Sequence, residues 1–177
     1  MSDSRQHFEW SRPYRSPVSK RSFQLQPIDS VEADRLRSLD GPRYTADEQP
    51  GYPCRQCLRD ANVGDELVLV SYDPFRSASP YRAASPVFLH VQPCVFVPLG
   101  IEEVLPVQLT CRTLSVRCFD DQAMMTDAAL VDGRELESTL DRFFLATNTV
   151  YVDVHNAVRG CWAVRVNHAD RNPVLTV

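Results

Sequence analysis

Four residues with zinc-binding side chains form two close pairs in the middle of the chain. Cys54 and Cys57 enclose an Arg-Gln dipeptide, and His90 and Cys94 follow after two apolar runs. Thiolate sulfur and imidazole nitrogen in two close pairs are typical of a structural zinc site. The pairs are further apart than the roughly 12–20 residues usual in compact zinc modules. His90 also lies in an apolar run, where histidine is commonly a structural residue. Zinc therefore remains an alternative, and we assign no metal or other cofactor.

The Cys54–Cys57 pair also has the spacing of a redox-active dithiol. Such a pair usually lies at a helix N-terminus after a strand, because the helix dipole lowers the thiol pKa. The preceding Pro-Gly-Tyr-Pro is not a strand. Six cysteines without an apolar signal segment favour reduced thiols over disulfides. The simplest interpretation is a turn with Cys54 packed inside it.

The candidate catalytic residues lie in the C-terminal segment TVYVDVHNAVRGCWAVRV. Its alternating apolar residues predict a β-hairpin in which Val154 pairs with Trp162. This register places His155 opposite Cys161, with Asp153 on the same face. An adjacent imidazole can activate a thiol as a nucleophile. We therefore predict His155, Asp153 and Cys161 as catalytic residues, with His155 transferring protons; the alternative is an ordinary half-exposed polar sheet face.

Polar loop residues are predicted to bind a substrate beside this hairpin. Arg82 lies between two apolar runs, and its guanidinium could hold a carboxylate or phosphate in a bidentate fork, or alternatively anchor loop carbonyls. Asp73 could be a general base if burial raises its pKa, or it could be a turn residue. The predicted substrate-binding residues are Tyr81, Arg82, Asn156, Arg159, Cys54 and Asp73.

The elements that must position these residues predict an α+β fold with a mainly antiparallel sheet, two or more helices and the C-terminal hairpin. Residues 42–66 lack an apolar period and predict a long loop. Cys118 falls on the apolar face of an alternating run and is predicted to be a core thiol. The predicted strands are Phe23–Ile28, Glu66–Tyr72, Pro86–Val91 and Thr113–Phe119. The predicted helices are Val31–Leu39, capped by Ser30, and one that follows Asp132 and ends near Ala146.

Length and composition predict one globular domain. Residues 1–22 are expected to form a loose basic arm, and residues 23–177 a single α+β domain. A net charge of −4 and a pI near 5.5 argue against a nucleic-acid partner. No apolar stretch approaches the roughly 20 residues that span a membrane, and the N-terminus lacks the apolar core of a secretory signal. We therefore expect a cytoplasmic protein without a membrane or nucleic-acid partner.

Five stretches of the sequence together resemble the motifs of one known family. In chain order they are PGYPCRQCLRDA, LVSYDPF, SPYRAASPVFLH, AMMTDAALVDGRELE and VYVDVHNAVRGCWAVRV. Over about residues 23–166 the chain closely resembles the uncharacterised family catalogued as domain of unknown function 1203. The resemblance implies no activity. It does imply that Cys54 recurs in the family while the position of Cys57 is substitutable by a non-ligand, which counts against a four-ligand zinc site.

The leading functional hypothesis is a protein that binds an anionic or carbonyl-bearing small molecule. Cofactor-free acid–base chemistry of the isomerase, lyase or cyclase type would fit His155 with Arg82 and Arg159. The sequence contains no phosphate-binding glycine loop, G-x-S-x-G or H-E-x-x-H motif. The alternative is a non-catalytic protein-interaction module, with or without a stabilising zinc. An enzyme would bring these three side chains together in a concave pocket, whereas a module would expose an apolar patch.

Overall fold

The computed structural model describes residues 22–100, 104–146 and 148–169, which form two antiparallel sheets and three α-helices. The prediction of an α+β fold ending in a β-hairpin is confirmed, although the strands divide into two sheets. Most of the predicted basic arm, residues 1–21, lies outside the described residues. No helix in the described ranges is long and apolar enough to cross a membrane.

The larger sheet has five strands in the order β1-β8-β7-β5-β6, and the smaller sheet has the order β2-β3-β4. A 3₁₀ turn, Gly133–Glu135, leads into the last helix. The strands are β1 Phe23–Gln26, β2 Arg43–Thr45, β3 Glu66–Tyr72, β4 Ser85–His90, β5 Thr113–Phe119, β6 Met125–Asp132, β7 Tyr151–Asn156 and β8 Trp162–His168; the helices are α1 Ser30–Arg37, α2 Val107–Thr110 and α3 Leu136–Phe144.

Three details differ from the predicted elements. The N-cap of α1 is Asp29 rather than Ser30, because the Asp29 carboxylate accepts a hydrogen bond from the Glu32 backbone N–H. The predicted loop over residues 42–66 contains β2, and neither α2 nor β6 was predicted. β4 is an edge strand of the smaller sheet. Cys54 bridges to Phe88 and covers part of that edge.

The main core lies between α3 and one face of the larger sheet. The Cys118 side chain is fully buried in it, as predicted from the alternating pattern of β5. Complete burial of each large aliphatic or aromatic side chain contributes about 1.5–3 kcal/mol. The core side chains from these elements are Leu114, Val116, Cys118, Val152, Val154, Val164, Val166, Leu136, Leu140, Phe143 and Phe144.

The C-terminal hairpin differs from the predicted register by a two-residue offset, and it also contains a β-bulge. Val154 pairs with Val164, not with Trp162, and His155 pairs with Trp162. Ala163 is therefore the extra residue on β8, and an extra residue reverses which face the following side chains occupy. Trp162 consequently leaves the main core and packs in a second cluster with α1, β3 and β4. The predicted pairing of His155 with Cys161 is wrong because the strands are offset by two residues from the predicted register, and the bulge reduces that offset only to one.

Candidate metal centre

The turn that carries Cys54 and Cys57 is attached to β4 by backbone hydrogen bonds. The Arg55 N–H donates to the Phe88 carbonyl at 2.9 Å, and the Cys54 N–H donates to the Arg59 carbonyl at 3.0 Å. Leu58 closes the turn with a φ of 55°, which is uncommon for a residue with a Cβ atom. Its side chain is almost fully buried, and this burial offsets the backbone strain. The turn therefore lies beside the end of β4, where His90 is the last residue.

Attachment of this turn to β4 brings the two widely spaced pairs into one cluster. The ligand atoms of Cys54, Cys57, His90 and Cys94 all lie within 4.8 Å of one another. The Cys54 and Cys94 sulfurs are 3.7 Å apart, and the Cys57 sulfur is 3.6 Å from His90 Nδ1. A tetrahedral zinc with ordinary bond lengths requires about 3.8 Å between two sulfurs and about 3.6 Å between sulfur and nitrogen. The cluster thus has the donor types of an S₃N zinc site, and these two distances match the spacing of such a site.

Burial and mutual hydrogen bonding prepare these thiols to bind a cation. Cys54 is fully buried and Cys57 nearly so, whereas Cys94 and His90 are partly exposed. Hydrogen bonds from the Cys57 and Cys94 side chains lower the pKa of Cys54. The hydrogen bond with Cys54 in turn raises the pKa of Cys94. A bound cation would replace the protons that these sulfurs share.

Charged side chains surround the cluster in the positions of an outer coordination shell. His90 Nε2, on the far side of the ring from the cluster, is 3.7 Å from an Asp65 carboxylate oxygen. Arg37 lies 4.0 Å from the Cys94 sulfur and donates to the His90 carbonyl at 2.8 Å. A hydrogen bond to Cys57 raises the pKa of Arg59. Three thiolates with one Zn²⁺ would carry about one net negative charge, which these guanidinium groups offset.

A groove of about 1100 Å³ lies beside the cluster, and Cys57, His90 and Cys94 line it. Its lining also includes Val95, Phe96, Val97, Leu99 and Val107. Val95 is 65% exposed, and Val97 and Val107 are each 70% exposed. The metal ligands therefore border a largely apolar surface.

The predicted catalytic residues do not form one constellation. Asp153 is fully buried, and its carboxylate accepts from Arg165 at 2.7 and 2.9 Å and from the Trp162 indole at 3.1 Å. His155 Nδ1 is 3.2 Å from the Gly160 carbonyl, and burial lowers the pKa of His155. The Cys161 sulfur instead contacts other residues, which are described below. His155 and Cys161 are thus held by different neighbours.

The predicted substrate-binding residues are divided among several places. Arg82 forms an ion pair with Asp73, which also accepts a hydrogen bond from the Phe75 backbone in a turn. Tyr81 packs edge-on against Phe119, with 6.1 Å between ring centres. Asn156 adjoins Cys161, Arg159 is exposed, and Cys54 belongs to the metal cluster. No hydrogen bond or ion pair within the described ranges joins His155 to Arg82 or Arg159.

Sequence reasoning missed three residues at this centre. Arg55 and Gln108 are each 1% exposed and hydrogen-bonded to each other at 2.8 Å, and Gln108 also donates to the Cys54 carbonyl at 3.2 Å. The position of Arg55 between two cysteines was the one available signal. Neither Gln108 nor Asp65 lies in a recognisable motif, and only the fold places them near the cluster.

Comparison with known proteins identifies a family but no characterised relative. The sequence model of the family described as "Protein of unknown function (DUF1203)" matches residues 51–168, which is more than half of the chain. No curated protein matches, and no solved structure matches. The matched range includes all four residues of the metal cluster.

Proposed function

Because the chain belongs to the DUF1203 family, whose description names no activity, we propose a function from its geometry: a zinc-stabilised interaction module. Cys54, Cys57, His90 and Cys94 bind one Zn²⁺, and the metal holds the adjoining groove in a binding-competent shape. The convergence of all four ligand atoms within 4.8 Å carries this proposal.

The donor set supports zinc rather than a hard cation. Thiolates prefer zinc and other soft metals, whereas Mg²⁺ and Ca²⁺ prefer oxygen donors. The Asp65 carboxylate beside His90 Nε2 supports the same assignment, because histidines that bind zinc usually present their second nitrogen to a carboxylate or carbonyl.

The number of protein ligands supports a structural role for the metal. Four side chains fill a tetrahedron and leave no open position, whereas catalytic zinc keeps one position for water or substrate. The metal would instead join the turn at Cys54, the end of β4 and the segment that begins at Cys94. This connection would fix one wall of the groove.

The apolar surface beside the metal supports a macromolecular partner over a small polar metabolite. Val95, Val97 and Val107 are exposed at the groove, and Val104 is 80% exposed in the same segment. Exposed apolar patches on small domains commonly mark interaction sites. The alternative of cofactor-free acid–base chemistry at His155 stays a prediction.

Metal content tests the proposal directly. The full chain, purified without chelators, is expected to carry one zinc by native mass spectrometry and elemental analysis. Cys57→Ser should lose the metal, while Cys111→Ser, the same change at an exposed cysteine lining the same groove, should retain it. A chain that is isolated bare and takes up no added zinc would overturn the proposal. Retention of stoichiometric zinc by Cys57→Ser would overturn the assigned ligand set.

A further inference from the structure

A second group of buried polar side chains lies on the other side of the Cys54–Cys57 turn. Arg55 is 1% exposed, and its guanidinium reaches Gln108 Oε1 at 2.8 Å and the Cys161 sulfur at 3.4 Å. No carboxylate in the described part of the chain bonds to this guanidinium. A buried positive charge is costly unless a counter-charge or several hydrogen bonds compensate it. The Cys161 sulfur is the contacting atom that can supply negative charge.

The surroundings of Cys161 favour electron density on its sulfur. Asn156 Nδ2 donates to the sulfur at 3.4 Å, so that two N–H donors from different elements converge on it. Basic groups and N–H donors around the sulfur are typical of reactive cysteine sites. Cys161 is 9% exposed, whereas Cys118 in the main core is fully buried. Some surface of the Cys161 residue is therefore open to solvent.

Two atoms on these same side chains lack a hydrogen-bond partner in the part of the chain that the structure describes. Arg55 Nε and Asn156 Oδ1 are buried without a hydrogen-bond partner among the described residues. Buried polar atoms are nearly always paired, so that such exceptions commonly mark a functional group or a ligand. Here the pair consists of one donor and one acceptor, and both belong to residues that contact the Cys161 sulfur. A hydroxyl oxygen attached to that sulfur would satisfy both.

We propose that Cys161 is a peroxide-reactive thiol whose sulfenic acid is stabilised by Arg55 and Asn156. The sulfur attacks one oxygen of hydrogen peroxide, the S–O bond forms and the O–O bond breaks. The departing hydroxide takes the thiol proton and leaves as water, so that sulfur loses two electrons and the peroxide gains them. The sulfenic oxygen accepts from Arg55 Nε, and its O–H donates to Asn156 Oδ1. Such oxidation is reversible by thiols. This site does not depend on the proposed zinc.

The other cysteines provide internal comparisons. Cys111 is exposed and would react first if solvent access alone decided reactivity. Burial raises the pKa of Cys118 to about 12, which makes it an unreactive reference. The remaining three cysteines belong to the metal cluster, and their oxidation would be accompanied by metal release from a loaded chain.

The test exposes the full chain to less than one equivalent of hydrogen peroxide and then removes the peroxide with catalase. Unfolding in urea with excess dimedone makes every sulfenic acid accessible, and peptide mass spectrometry locates the adducts. We expect Cys161 to be labelled at least about tenfold more than Cys111. Labelling of Cys111 equal to or above that of Cys161 would overturn the proposal.

Substitution of Arg55 distinguishes the effect of its guanidinium on the reactivity of Cys161 from the effect of solvent exposure. Arg55→Met keeps most of the side-chain length and removes both the charge and the Nε donor, so labelling of Cys161 should fall at least about tenfold while Cys111 is unchanged. Undiminished labelling of Cys161 in a folded Arg55→Met chain would contradict the role of Arg55. If that variant does not fold, Asn156→Leu replaces it, because this substitution removes the donor and the acceptor of the second side chain. The same fall in Cys161 labelling is then expected, and undiminished labelling would contradict the role of Asn156.

Discussion

Removal of zinc is expected to destabilise the fold strongly, because the metal would join segments that are distant in sequence. Cys54 and Cys94 are separated by 40 positions along the chain, and their sulfurs lie 3.7 Å apart. In the chain-entropy model, a cross-link that closes a loop of this length lowers the entropy of the unfolded chain and so raises the free energy of unfolding by about 4 kcal/mol. The same stabilisation follows from linkage when free zinc is about 1,000 times its dissociation constant.

This free energy corresponds to a large shift in melting temperature. For a chain of this size, 1 kcal/mol changes Tm by about 2–4 °C, so that 4 kcal/mol predicts a decrease of roughly 8–16 °C. The assay is scanning calorimetry of the full chain at fixed protein concentration, with free zinc set by a metal buffer and then removed with excess chelator. Tm should rise with the logarithm of free zinc above the dissociation constant.

Two serine variants control for effects of the chelator and of the substitution itself. Cys57→Ser should have a low Tm that no longer responds to zinc, because the ligand set is incomplete. Cys111→Ser should keep the full zinc response, because its sulfur lies outside the cluster. A Tm that is independent of free zinc in the unaltered chain would refute the reasoning. An equal zinc response in both variants would also refute it.

Three further predictions concern neighbouring groups. Asp65→Asn should weaken zinc binding about 10- to 100-fold at unchanged stoichiometry, because the carboxylate no longer orients His90. Competition with a chromogenic chelator measures the affinity for zinc, and an unchanged affinity would show that Asp65 does not orient His90. Asp153→Ala should destabilise the fold by about 3–5 kcal/mol in urea unfolding, because it leaves the largely buried Arg165 guanidinium without its partner. A loss below about 1 kcal/mol would contradict this. Burial lowers the pKa of His155 from 6.5, so the unfolded state binds a proton at this residue before the folded state does. The stability of the fold should therefore decrease as pH falls through 6.5, and His155→Gln should reduce this pH dependence of Tm. An identical dependence of Tm on pH in the variant would show that other groups cause it.

Local patterns in the sequence predicted most of the secondary structure. The strand from Thr113 to Phe119 and the core position of Cys118 followed from simple alternation, because side chains on a strand point alternately to opposite faces. The helix after Asp132 followed from its capping residue and its apolar spacing. These features depend on interactions between residues close in sequence, and a single sequence contains that information.

The register of the C-terminal hairpin was predicted incorrectly for a physical reason. The apolar pattern favoured pairing Val154 with Trp162, but Val154 pairs with Val164. A shift of two residues keeps every side chain on the same face, so the apolar pattern cannot distinguish these two registers. The supposed pairing of His155 with Cys161 was lost through this shift, while the separate bulge at Ala163 turns Trp162 towards the second cluster.

The ligand types and the close spacing within each pair can be read from the sequence, which left zinc as an alternative. That the pairs meet became clear from the fold alone, because the long separation between Cys57 and His90 counted against a shared site. The backbone bonds between the Cys54 turn and β4 remove that separation in space. Spacing along the chain limits which residues can meet, whereas long-range pairing of strands and turns decides which of them do.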